Sequence, residues 1–231
     1  MTSPPTDTGL LGTASRADAI ELIQRIDARR ADAPIMVTQL TSDIAIFNGS
    51  DIADIAYYLC KLHGHHPGIF DYLAENMRDS EHHGLVTDLA AQFAVERAVL
   101  ANMTVAAGPA TTLAGEYTSI KVIEQLRSAI NMLGQSERNG SSLGSGIAIV
   151  SDWLLWRPAF DAISARLDIE IPECTMLNAY QQLADLLSQK TDPRELRAVS
   201  FGMEQLYHQH DQFWLLMERR QKLRNAMLGK A

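Results

Sequence analysis

The sequence predicts an all-α fold, a single-domain helical bundle of about eight helices. Apolar residues recur at three- and four-residue spacing along most of the chain, the period of one helix face. The links between periodic segments are short and rich in glycine, proline and asparagine, which favours antiparallel neighbours in one bundle. No segment reads clearly as strand. The 231 residues are 46% hydrophobic and 21% charged, an ordinary globular composition. A chain of this length can bury roughly 70% of its unfolded surface without a metal or disulfide to help it fold.

Residues 1–14, beginning MTSPPTDTGLLG, are expected to be a disordered tail, with residues 15–231 as the domain. Ser15 can cap the first helix, with Asp18 completing a capping box. That helix turns Ile20, Ile23 and Ile26 inward and ends at Pro34. The stretch PIMVTQLTSDIAIFNGSD is ambiguous over residues 35–47. Its β-branched residues suggest strand, whereas Val37, Leu40, Ile44 and Phe47 keep helical spacing, and helix is the preferred reading.

Ser50 is the expected cap of the next helix, whose face is Ile52, Ile55, Leu59 and Leu62 and whose stop is Gly64. Pro67 suits the opening of another, burying Ile69, Phe70, Leu73 and Met77. A long helix follows from about Leu85 to Ala107, stopped by Gly108 and Pro109. EYTSIKVIEQLRSAINMLGQ carries Ile120, Ile123, Leu126, Ile130 and Leu133 on one face. SERNGSSLGSG interrupts the chain before an apolar helix near Leu143 to Leu167, expected to kink at Pro158. A shorter helix follows Pro172, and Thr191-Asp192-Pro193 opens the longest, near Arg194 to Leu228. The helices from Leu85, Glu116, Leu143 and Arg194 are the expected core.

A net charge of −8 argues against wrapping nucleic acid, whose phosphates it would repel. The start shows no basic and apolar signal pattern, and no run of about 20 apolar residues offers a membrane span. The most apolar stretch, GIAIVSDWLLW, is interrupted by Asp152 and stops at Arg157 and Pro158. Two cysteines, Cys60 and Cys174, cannot frame a chain this size, so a reduced, cytoplasmic protein is expected.

LCKLHGHHPGIF places Cys60, His63, His65 and His66 around a helix end. Thiolate and imidazole are preferred zinc ligands. The second ligand pair of a structural zinc site is missing, so a helix stop with capping histidines is the stronger reading. Glu96 falls in the middle of the stripe Leu85, Leu89, Phe93, Leu100, Met103. A buried carboxylate must be paired or protonated. His210 interrupts the stripe Leu196, Val199, Met203, Leu206, Phe213, Met217 in the same way, with Tyr207 and Trp214 beside it. Arg127, at the edge of its helix's inner face, is the candidate counter-ion for Glu96, since its planar fork suits a carboxylate.

Glu and His on facing helices are also the raw material of bundle metal sites, but the two Glu-x-x-His motifs of di-iron bundles are absent. A metal-free polar network is therefore preferred. Gly140, Gly144 and Gly146 would let a backbone or a flat ligand approach. Haem-oxygenase-type enzymes set such a glycine-rich helix over their cofactor, which is an analogy only; tight helix packing is the stronger reading. The basic end ERRQKLRNAMLGKA, with Arg219, Arg220, Lys222 and Arg224, suits an acidic partner or simply a helix C-terminus.

The stretches LHGHHPGIFDYLAE, FAVERAVLANMTVAAGPA and MLGQSERNGSSLGSGIAIVSDW resemble an uncharacterised family of bacterial helical proteins, over about the first three-quarters of the chain. The resemblance implies a bacterial origin and no mechanism. Two functional readings remain. One is a non-enzymatic helical protein binding a small molecule or a protein partner, with Glu96, Arg127, His210, Tyr207 and Trp214 at its polar cluster. The other is a metal- or haem-dependent oxidative enzyme using Glu96 and His210, with iron, zinc or haem as cofactor. Self-association is left open by both.

Overall fold

The computed structural model describes residues 8–110, 112–113, 115–138 and 140–229, with side chains from residue 17 on except at position 30. Among the described residues there are nine α-helices, one short 3-10 turn and no strand. Helix α1 spans Thr8–Ala31. Ser15 therefore lies within its backbone and not at its cap, and residues 1–7 of the expected tail fall outside the described residues. Its inward stripe is Ala19, Leu22 and Ile26, while Ile20 faces solvent. The ambiguous segment is helical: α2 spans Ile35–Ser42 and the 3-10 turn Ile44–Ile46. Met36, Val37, Leu40 and Phe47 enter the core from it, so burial on helical spacing overrides β-propensity.

Helix α3, Gly49–His63, is capped by Asn48 and not by Ser50. The Asn48 side chain accepts the Asp51 N–H, and the Asp51 carboxylate accepts the Asn48 N–H, each at 2.9 Å. This reciprocal box satisfies two donors that the helix itself leaves free. Helix α4 is Ile69–Asn76, with Asp71 accepting the Gly68 N–H at 2.7 Å. Then come α5, His83–Ala107, and α6, Glu116–Gly134. Helix α7 is Ser141–Arg166, α8 is Met176–Ser188, and α9 is Pro193–Met227, where Asp192 caps the Arg194 N–H.

Helix α7 is the axis of the molecule. Every residue from Ser141 to Trp153 is buried, as expected for a helix with neighbours all round. Helix α9 packs along it most extensively, and α1, α2, α4, α6 and α8 also touch it. The α7–α9 crossing is close enough to require glycine. A Cβ on Gly144 would stand 2.0 Å from the Val199 carbonyl oxygen, and one on Gly202 would stand 2.1 Å from that of Ser141. The Ser145 hydroxyl uses this proximity to donate to the Gly202 carbonyl at 3.2 Å. The glycine-rich stretch thus serves helix packing. Helix α7 continues through Pro158, which points to solvent and leaves the carbonyl one turn back on a half-exposed side. Among the described residues no helix is long and apolar enough to cross a membrane.

Candidate functional site

The helices bring two polar networks into the core. The first is built on α5 and α7. Glu96 is 2% exposed and has both carboxylate oxygens occupied. Oε1 accepts from Arg157 Nη1 at 2.7 Å, and Oε2 accepts the Trp153 indole N–H at 2.8 Å. Arg157 also donates through Nε to Asp161 at 2.9 Å and through Nη2 to the Pro172 carbonyl. Burial opposes its charge, but Asp161 and Glu96 outweigh that cost and raise its pKa above the ordinary guanidinium value.

The Trp153 ring meets His63 edge-on at 5.7 Å, which carries the network to a histidine pair. His63 Nε2 lies 3.1 Å from His210 Nε2, and His210 Nδ1 lies 2.7 Å from Asp152 Oδ2. His63 ends α3, Asp152 lies on α7 and His210 on α9, so three helices meet there. Burial pushes His63 well below the ordinary imidazole value, with His210 and His65 adding to the shift. An ionised carboxylate only accepts, so His210 presents Nδ1–H to Asp152. A neutral His63 then completes the chain by donating Nε2–H to His210. The Trp156 ring lies tilted against His210 at 4.5 Å, and Trp214 packs edge-on against Trp156 at 5.4 Å.

Arg29 of α1 links this core to the surface. Its Nε lies 3.4 Å from Asp152 Oδ1, its Nη2 donates to the exposed Asp211 at 2.5 Å, and its guanidinium lies 5.0 Å from the Tyr207 ring centre. Burial opposes the Arg29 charge, but Asp152 and Asp211 prevail and raise its pKa. Burial, then the Asp152 carboxylate, push the Tyr207 phenol above its usual value.

The second network fastens the end of α9. Arg220 donates to Asp54 at 2.8 Å, to the Ser119 hydroxyl at 3.0 Å and to Glu116 at 3.0 Å. Arg224 pairs with Asp51 and Asp54. Tyr58 donates to Glu116 at 2.5 Å and lies beneath the Arg220 guanidinium. Burial favours the protonated form of Glu116, but Tyr58 and Arg220 together hold its pKa below the ordinary value.

Several expected groupings are therefore rearranged. Arg157, not Arg127, is the counter-ion of Glu96. Arg127 sits half-exposed beside a small surface hollow with Tyr58 and Glu124. Glu96 and His210 have separate partners. Tyr207 and Trp214 join the periphery of the network through Arg29 and Trp156. The cysteine–histidine quartet is not brought together. His63 turns into the core, His65 Nε2 meets Asn131 Oδ1 at 2.9 Å, and His66, largely exposed, meets Asp71 at 3.1 Å. The Cys60 sulfur faces Gly64. Among the described residues no three His, Cys, Asp or Glu side chains converge as a metal site. The basic chain end is also divided, since Arg220 and Arg224 are buried while Arg219 lacks an ion-pair partner among the described residues.

Sequence reasoning missed Asp152, Trp153 and Arg157 as network members. The signal was present: a charge inside the most apolar stretch and another at its end are as anomalous as Glu96 in its stripe. Asp51 and Asp54 with Arg220 and Arg224 were missed too, although both arginines continue the seam of Phe213 and Met217 at three- and four-residue steps.

Fold and site define an all-α domain organised around buried ion pairs and a histidine pair. More particularly, the chain belongs to DUF6975, a family of unknown function, which matches it over residues 27–225. The match extends beyond the three-quarters expected and spans every residue of both networks. No curated protein and no solved structure matches the chain.

Proposed function

We propose that the protein is a non-enzymatic binding protein of the cytoplasm that takes a small zwitterionic amine in the groove beside Arg29. This groove, about 340 Å³, lies between the end of α1, the start of α2 and the middle of α9. One observation carries the reading. Trp214 lines the groove, is 1% exposed, and its indole N–H has no partner among the described residues. An unmade bond on a buried donor costs about 1–3 kcal/mol, which a ligand carbonyl or carboxylate would recover as its entry opens the groove onto the indole edge. Asp32, Asp211 and Glu218 border the same groove. With the negative end of α1, they favour an ammonium group. Pro34, Ile35 and Leu215 supply an apolar wall. Arg29 ties the groove to the buried network through Asp152. Both cysteines are free, which supports the cytoplasmic assignment.

A thermal-shift titration tests this with L-lysine, L-arginine and L-ornithine, alongside putrescine, which lacks the acceptor, and succinate, which lacks the ammonium. The expected order is a rise in Tm with the amino acids, a smaller one with putrescine and none with succinate. Trp214→Phe should erase the difference between amino acids and putrescine, and Glu218→Gln should weaken both. Amino acids that leave Tm unmoved, or that act equally on Trp214→Phe, would end the proposal.

A further inference from the structure

A separate surface, sharing no lining residue with the groove at Arg29, gathers around Arg138 in the α6–α7 link. Arg138 borders three depressions of about 320, 320 and 460 Å³. Its guanidinium lies 5.7 Å from the Phe201 ring centre. Arg194 and Arg197 line the third depression beside it. None of these three arginines has a carboxylate partner among the described residues. The acidic groups nearby are largely engaged: Asp192 caps α9, and Glu195 pairs with Lys190 at 2.7 Å. Glu137 borders only the first depression. Asp192 and Glu195 line the third depression with the three arginines, which leaves a local excess of positive charge on a chain of net charge −8, opposite in sign to the molecule.

The second depression has the lining chemistry of a helix seat. It lies between α6 and α9, walled by Met132 and Leu133 on one side and by Phe201, Gln205 and Gln209 on the other. The α9 residues stand four apart, so they form one ridge facing the groove. Met132 is 64% exposed and Phe201 42%, apolar side chains that line this groove from α6 and α9 outside the buried seam; Leu215, Leu223 and Met227 of α9 are exposed elsewhere. Ser141 lines the same groove, fully buried and with an unpartnered hydroxyl. A small anion would satisfy the arginines but leave the apolar pair and the two glutamines unused.

We propose that this face docks an acidic amphipathic helix of a partner protein, its apolar residues between Met132 and Phe201 and its carboxylates over Arg138, Arg194 and Arg197. This is the helix-in-groove mode with charge complementarity at one end.

The test is fluorescence anisotropy with a fluorescein-labelled synthetic helix of leucines at i, i+3, i+4 and i+7 and glutamates elsewhere, titrated with the full chain. A lysine-for-glutamate version of the peptide serves as control. Expected are saturable binding of the glutamate peptide alone, weakening with added salt, and a loss of about tenfold or more in the Arg138→Glu/Arg197→Glu variant. Phe201→Ala should weaken binding with the salt dependence kept, while Arg78→Glu, a charge reversal on the α4–α5 link, should change it little. Equal effects of Arg78→Glu and the double variant, or no binding by the folded wild type, would overturn the proposal. So would displacement of the peptide by inorganic pyrophosphate at equal concentration, which would assign the arginines to a small anion. Sedimentation adds a further arm: a dimer dissolved by Arg138→Glu/Arg197→Glu would place a second copy of the chain on this face instead.

Discussion

His63 is where burial has its clearest titratable consequence. The folded protein holds it neutral, facing His210 on α9, with Asp152 and Trp153 of α7 and Phe93 of α5 around the pair. The unfolded chain protonates it near the ordinary value of about 6.5. Above that pH neither state carries the proton, and stability is independent of it. Below that pH the unfolded state takes up a proton that the folded state refuses, so stability falls by about 1.4 kcal/mol per pH unit until the folded pKa is reached. The loss from this one group therefore sets in below about pH 6.5 and grows as the pH falls towards the folded pKa. Urea denaturation of wild type and His63→Gln from about pH 7 to 5 should show the wild type losing more stability as the pH falls, because the variant's unfolded chain lacks this proton uptake. Parallel pH profiles would mean that His63 takes up its proton in the fold. The anomalous polarity of Glu96 and His210 was legible in their stripes, but their partners were not. Helical periodicity says which residues turn inward and nothing of which inward residues meet. The sequence pointed to Arg127, and the fold gave the place to Arg157 by bringing its turn of α7 opposite Glu96.

At the scale of elements, the α7–α9 crossing depends on glycine at two specific places. Gly144→Ala would drive a methyl group into the Val199 backbone, where no rotamer can yield. The two helices would have to separate, opening voids along the axis of the core, each costly in a close-packed interior. A loss of about 3 kcal/mol or more is expected in chemical denaturation, with failure to accumulate folded protein as the extreme. Gly49→Ala is the matched control. It stands in the first turn of α3 with nothing within 4 Å of its would-be Cβ, so it should be neutral or stabilising. Equal destabilisation by both substitutions would refute the close-crossing account. Helix existence was largely legible here, because three- and four-residue spacing survives along α3 to α9. Boundaries were less so. Asn48 and Ser50 are both good caps, and the choice fell to Asn48 because Asp51, three residues on, could return the bond.

For the molecule as a whole, the question is why four charged side chains are buried where α9 ends against α3. Isolated surface pairs such as Arg25–Glu204, with side chains 44% and 51% exposed, contribute about 0–1 kcal/mol and fade with salt. The cluster of Asp51, Asp54, Arg220 and Arg224 is at most 5% exposed at every member. Its charges have lost their hydration, and their mutual attraction roughly offsets that loss. The network therefore adds little net stability, but breaking it is expensive, because any survivor is left charged in the core. That asymmetry fixes the position of α9: sliding it one turn would seat one arginine in the other's place, strand the displaced one and leave a carboxylate without its partner. Asp54 is the keystone, since its Oδ2 accepts from both arginines. Asp54→Ala should cost about 3–5 kcal/mol in urea denaturation, with little dependence on salt. Arg220→Met should cost a similar amount through Asp54 and Glu116. The double variant should cost less than the sum, with a coupling of about 1–3 kcal/mol, because the second substitution removes a charge already stranded by the first. Strict additivity, or a loss of Asp54→Ala stability that salt abolishes, would show that the end of α9 is held by its apolar seam alone and that these charges reach water.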